Sequence, residues 1–200
     1  MTTFIADKKE YLSTTFNGLD LPGYELTATE FEGCTFNECN FNESIFNNCK
    51  FIDCQFIKCN LSILKIMRSK FLNVVFDQCK IVGVDWTTAS WSSLALSSPI
   101  MFYKCILNDS SFFGVALPEI AIEECKANEV DFRSGNFDHA NFSGTDFSRS
   151  MFNETNLSYA DFTDASNYSI DVNFNRIKGA KFCRDEAINL LESLGIELVD

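Results

Sequence analysis

The 200-residue chain predicts an all-β solenoid, a coil built from very short strands. Two observations carry this. An apolar residue returns at every fifth position from Phe31 to Phe182, and a small residue sits two places before it in nearly every unit. A slower beat of twenty residues, seen in Cys39, Cys59 and Cys79, suggests four such units per turn.

The five-residue beat runs through Phe31, Phe36, Phe41, Phe46, Phe51, Phe56, Leu61, Ile66, Phe71, Phe76, Ile81, Trp86, Trp91 and Leu96. It resumes one residue late as Phe102, Leu107, Phe112, Leu117, Ile122, Ala127, Phe132, Phe137, Phe142, Phe147, Phe152, Leu157, Phe162, Asn167, Val172, Ile177 and Phe182, where only Asn167 is polar. Seventeen of the 21 phenylalanines fall on these positions. A globular core scatters its aromatics. A strict repeat buries each unit against its neighbours instead.

With the central apolar residue called i, position i−2 is small, i−1 polar and i large. That is the in-out-in alternation of a short strand. Positions i+1 and i+2 favour Asn, Asp, Ser and Gly, as in Phe142-Ser-Gly144 and Phe162-Thr-Asp164. These residues suit tight corners because they tolerate turn dihedrals and bond their own backbone. One unit is therefore one side of a coil, and twenty residues would close a square.

The cysteines obey the same register. Eight of the nine, all but Cys183, stand at i−2, where other units place Ala140, Ala160, Thr145, Ser150 or Thr155. The shared property is small size, so the thiols are expected to be free and buried, which fits a reducing cytoplasm. A zinc site needs thiolates converging from several directions, and a row of inward cysteines does not offer that. No cofactor or metal is expected.

The beat is interrupted twice. It slips by one residue across Ser97-Ser-Pro-Ile-Met101, just after Trp86 and Trp91, and Phe112-Phe-Gly-Val-Ala-Leu-Pro118 places Phe113 where an outward residue belongs. Interruptions in repeat arrays often carry function, which makes Trp86, Trp91, Pro99, Phe113 and Pro118 candidate partner contacts. The repeat body is expected over residues 26–184, with residues 1–25 capping the first coil. Residues 185–200 should form a closing helix, with Asp185 as its N-cap, Gly195 as its stop, and a tail. Leu190, Leu191, Leu194, Ile196 and Leu198 give this end more apolar surface than one capping face needs, so a homodimer through the C-terminus is expected.

The net charge of −12 excludes nucleic acid as a direct ligand, because phosphate neutralisation needs clustered Lys and Arg. Asp185, Glu186, Glu192 and Glu197 make the C-terminal end the most acidic piece and candidates for contact with a basic partner. No apolar run reaches the ~20 residues of a membrane span, and the N-terminus lacks a secretory pattern. A cytoplasmic protein is expected. Catalysis is not: the lone His139 sits at a corner, the outward Asp131, Asp146, Asp161 and Asp171 lie on a convex surface, and no phosphate loop or metal motif appears.

Units such as Ala140-Asn-Phe-Ser-Gly144 and Ala160-Asp-Phe-Thr-Asp164 resemble the A-(D/N)-(L/F)-x-x consensus of the pentapeptide-repeat family. That resemblance implies a right-handed quadrilateral parallel β-helix. Within the family the chain looks like the branch protecting bacterial type II topoisomerases, of the quinolone-resistance (Qnr) and albicidin-resistance types, with the albicidin type nearest. The shared-looking stretches are Phe31 to Phe41, Gly83 to Trp91, Cys105 to Ser110, Asn167 to Asp171 and Leu190 to Leu198. The resemblance implies a rod-like homodimer that binds DNA gyrase or topoisomerase IV, imitating DNA with its acidic surface. The alternative is a generic interaction scaffold of the same fold with another cytosolic partner.

Overall fold

The computed structural model describes residues 9–91 and 99–196. Their five-residue units wind into a four-sided β-helix in which every paired strand is parallel. Register partners are twenty residues apart: Tyr11, Phe31, Phe51 and Phe71 stack along one side, and Phe16, Phe36, Phe56 and Phe76 along the next. Isolated bridges carry the same spacing onward, as in Ala116↔Asn136, Asn136↔Asn156 and Asn141↔Asp161. The ladder reaches back to Glu10–Leu12, inside the segment expected as an N-terminal cap.

Each side turns its corner at i+2, where φ is positive in nearly every unit. Asn48, Asp53, His139 and Asp164 fit the expected corner chemistry, but Lys58, Ile63, Arg68 and Tyr159 adopt the same left-handed backbone. That conformation costs roughly 1–2 kcal/mol for a residue with a Cβ, and it is least natural for β-branched Ile63. The ladder compensates. The Ile63 N–H donates to the Val82 carbonyl of the next coil at 2.7 Å, and Lys58 does so to Asp77 at 2.8 Å.

The core is a shaft of aromatic rings with two kinds of contact. Along the axis the rings lie parallel: Phe36 and Phe56 are 4.6 Å apart at 8°, and Phe132 and Phe152 are 5.0 Å apart at 4°. Across the shaft they meet edge-on, as Phe31 does Phe36 at 5.3 Å and 69°. Offset parallel and T-shaped pairs are the two arrangements the ring quadrupole favours. The repeat supplies both at once.

Small size proves to be only half of what position i−2 requires. Its side chain also stitches successive coils. Ser69 accepts from the Cys49 N–H at 3.0 Å and donates to the Phe46 carbonyl at 2.8 Å. Ser110 and Thr145 make the same double bridge. Cysteine plays the role more weakly: the Cys79 thiol faces the Cys59 N–H at 3.3 Å and the Phe56 carbonyl at 3.3 Å. Burial pushes the Cys105 thiol well up, which keeps it a protonated donor. All nine cysteines are free thiols.

Three departures from the sequence reading follow from register. The one-residue slip comes with a whole extra unit: Phe76 pairs with Phe102, so this turn takes 26 residues in place of twenty. A whole unit plus one residue is added between Trp91 and Ile100, and Leu96, read as a core position, lies outside the described residues. At the second irregular spot Ser111↔Asp131 and Ala116↔Asn136 keep the twenty-residue step, so the irregularity is confined to the outward Phe113. A third, unforeseen one occurs near the end, where Phe152 bridges Ile170 after 18 residues. There Tyr168 and Ile170 turn inward in place of the expected Asn167 and Val172; Asn167 is exposed with positive φ.

The closing helix α1 spans only Ile188–Glu192 and begins from Ala187 without a side-chain cap. Asp185 is thus not its N-cap. Instead, Glu186 accepts from the Asn167 N–H at 3.1 Å, and the Ser193 hydroxyl accepts from the Val172 N–H at 3.3 Å. These bonds fasten the last turn of chain to the irregular coil beneath it.

Candidate interaction surface

A shaft filled with rings leaves function to the outside, which is set by positions i−1, i+1 and i+2. The i−1 residues have a structural duty first. Asn40, Asp131, Asn136, Asn141, Asp146, Asn156 and Asp161 each turn a side-chain oxygen back to accept the i+1 N–H, at 2.9–3.3 Å. The outward carboxylates are therefore corner caps, which is why Asn and Asp interchange there. Two are also charge-paired. The Arg133 guanidinium at 2.7 Å holds Asp131 below the usual carboxylate range, and Lys181 at 2.8 Å does the same for Asp161.

Stacking places like positions of successive coils side by side, and the surface exploits this. Asn60 donates to Asn40, Asn40 to Asp20, and Asn156 to Asn136 in amide ladders. Ion pairs join neighbouring coils at Lys50–Glu30, Lys104–Glu124, Arg149–Glu129 and Lys181–Asp161. Both signs thus share each side, and the negative charge is spread over the rod.

The predicted contact residues separate into core and surface. Trp86 is 1% exposed and stacks on Phe112 at 5.7 Å and 10°, so it belongs to the shaft. Pro99 is buried, and its carbonyl accepts from Val74 at 2.9 Å. Trp91 is half-buried, with its indole N–H donating to the Trp86 carbonyl at 3.0 Å. Pro118 is half-buried at a corner. Phe113 alone is a large exposed ring, with Arg133 stacked over it at 5.7 Å.

At the C-terminal end Leu190 is buried against the coil and Leu191 is half-buried, so the helix spends Leu190 on its own core. Leu194 and Ile196 are exposed. Two apolar residues outside the expected set join them: Ile188, 50% exposed on α1, and Phe174, 62% exposed on the last irregular coil. Asn173 beside Phe174 donates to the Ser193 carbonyl at 3.3 Å, which holds coil and helix together. Phe174 was legible as one of the few phenylalanines off the beat. Asp185 is exposed, Glu186 is used in bonds to Asn167 and Asn189, and Glu192 is the last residue of α1. Glu197 and Leu198 lie outside the described residues.

His139 accepts or donates to Asp138 at 2.8 Å and stacks on Tyr159 at 4.8 Å, as an exposed corner group. Among the described residues no group of three His, Cys, Asp or Glu side chains could hold a metal, and no helix is long and apolar enough to cross a membrane.

The profile of the pentapeptide repeat region matches residues 29–99 and 84–162. A search of curated protein sequences finds no match. Among solved structures, a trypsin-treated variant of QnrB1, a plasmid-mediated fluoroquinolone resistance protein, is 25% identical with a TM-score of 0.64, covering 95% of this chain and 90% of that one. A second trypsin-treated QnrB1 variant is 22% identical at the same TM-score, covering 93% and 100%. HetL, a pentapeptide repeat protein involved in heterocyst differentiation regulation from the cyanobacterium Nostoc sp. strain PCC 7120, shares the fold at 11% identity and a TM-score of 0.52, covering 88% and 87%.

Proposed function

The chain belongs to the pentapeptide-repeat family, and we propose that it binds bacterial DNA gyrase or topoisomerase IV and protects the enzyme from a topoisomerase poison. One observation carries the reading: the likeness to QnrB1, a fluoroquinolone resistance protein, extends over 95% of this chain and 90% of that one. The stretches Asn167 to Asp171 and Leu190 to Leu198 support an albicidin-resistance type within this branch. A rod carrying −12 is steered toward a basic groove, where it competes with DNA as an acidic mimic.

The active form is a cytoplasmic homodimer joined at the C-terminus. Exposed Phe174, Ile188, Leu194 and Ile196 support that assembly, because scattered single apolar residues need no partner but a group at one end does. Replacing Ile188 and Leu194 with Asp is expected to halve the particle mass in sizing experiments. A native protein that already runs as a monomer removes the dimer.

The functional test is a gyrase supercoiling assay with albicidin in one arm and a quinolone in the other, with and without the purified chain. Restored supercoiling is the expected result, and the arm that recovers names the poison. Unchanged inhibition in both arms, with no capture of gyrase subunits, leaves the generic scaffold as the surviving reading.

A further inference from the structure

Among the described residues, inter-coil ion pairs follow one rule: a basic side chain takes a carboxylate one coil away. The column Glu10, Glu30, Lys50, Lys70 breaks it. Parallel register sets Glu30 beside Lys50 and Lys50 beside Lys70, so two ammonium groups occupy neighbouring strands. Lys50 is already committed to Glu30 at 2.9 Å. Past Lys70, the Ser90 N–H bonds to the Ser69 carbonyl, so the next outward residue is a serine. Like charges in register repel, and a chain with 28 acidic residues had ample means to alternate them.

The two lysines line a surface cleft of about 220 Å³, together with Thr29, Glu30, Asn48 and Cys49. Other positive groups border it. Lys9 reaches the Thr27 carbonyl at 3.0 Å, and its charge is felt at Cys49, where it opposes the upward push of burial. Arg68 occupies the corner one coil beyond Asn48, with its guanidinium 3.3 Å from the Asn47 side-chain oxygen. Glu30 is the sole carboxylate among the lining residues, and Lys50 neutralises it.

We propose that this cleft binds a compact phosphate-class oxyanion between Lys50 and Lys70, with Asn48 and Arg68 at its rim. Strands ~4.8 Å apart let two ammonium groups each hold an oxygen of one phosphoryl group at ~2.8 Å. A phosphate also carries enough charge to balance Lys70 and the neighbouring Arg68 together, whereas a single carboxylate balances one. The inference is independent of any gyrase contact.

The test is a titration of the full chain with inorganic pyrophosphate at low ionic strength, followed by calorimetry and by amide NMR shifts. Saturable one-site binding is expected, with shifts centred on Asn48, Cys49 and Lys70. Lys70→Gln should weaken it at least tenfold, while Lys181→Gln, on a distant ion pair, should leave it unchanged. ADP binding as tightly as pyrophosphate assigns recognition to a terminal phosphoryl group of any source; pyrophosphate alone binding assigns it to the free anion. Non-saturable uptake, shifts centred elsewhere, or an equal loss in Lys181→Gln overturns the site. The wild-type shifts decide the matter even if Lys70→Gln folds poorly.

Discussion

The middle of the rod and its C-terminal end are made from the same five-residue unit, yet they behave as different materials. From Phe102 to Phe162 the register holds at twenty residues, the rings on the five-residue beat are buried, and hydroxyls at i−2 such as Thr145 find both an N–H and a carbonyl. Beyond Ser166 one step shortens to 18, at Phe152↔Ile170, before twenty returns at Asn156↔Arg176; Val172, Ile177 and Phe182 are only half-buried, and the buried Tyr168 hydroxyl has no hydrogen-bond partner among the described residues. A coil is stabilised by the coils on both its faces. The last one has a single neighbour and a five-residue helix, so its apolar residues remain partly in water. Perfection of the repeat gives stability, and its failure gives a surface fit for association.

The sharpest way to break this contrast is to delete a ring from each region. Phe132 is 0% exposed, between Phe112 at 5.4 Å and Phe152 at 5.0 Å. Phe132→Ala is expected to cost ~3–5 kcal/mol by urea unfolding, the range for truncating a buried ring. Phe182→Ala should cost about half as much, since among the described residues its ring stacks on Phe162 from one side and meets Tyr168 at a tilt. Equal losses would mean that the end is as well packed as the middle.

Ser110→Ala tests the stitching inside the body. It leaves the Val84 N–H and the Ile81 carbonyl without their partner at 3.2 and 2.9 Å, and should cost ~1–3 kcal/mol. If Ser110→Ala unfolds like wild type, position i−2 selects for size alone.

Acid sharpens the comparison at the junction. Asp131 and Asp161 are held below the usual carboxylate value by Arg133 and Lys181. Their stabilisation is fully present above the unfolded value near ~3.9 and is lost as pH falls through the lower folded values. Each contributes under about 1 kcal/mol, because both partners reach solvent. Unfolding midpoints should drop below pH ~4, and Lys181→Gln, which frees the last rung, should flatten part of that drop.

The smallest effect is expected at Tyr168, whose phenol is pushed up to about 12 by burial, with Glu186 and Cys183 adding to it. Tyr168→Phe removes a hydroxyl that bonds to nothing, so stability should stay within about 0.5 kcal/mol or rise. A loss above that would reveal a partner for the hydroxyl.

Much of this could be read from the chain alone. Phe137, Phe142 and Phe147 each return at five-residue spacing behind a small residue, and all three are 0% exposed. The cysteine register likewise foretold buried free thiols. The candidate surface was far less legible. Trp86 looked like an anomaly and is core, while Ile188 and Phe174 form exposed surface beside Leu194. A repeat pattern states which way a residue points only while the register lasts.

The sequence by itself determined the repeating side of the coil, because a period of five with in-out-in alternation fixes which residues face the axis, and the twenty-residue beat suggested four such sides. Tertiary stacking alone decided the rest: the 26-residue turn, the 18-residue step, and which charges face each other. Those depend on residues twenty or more apart meeting across a ~4.8 Å gap, and no local pattern encodes what the next coil will bring.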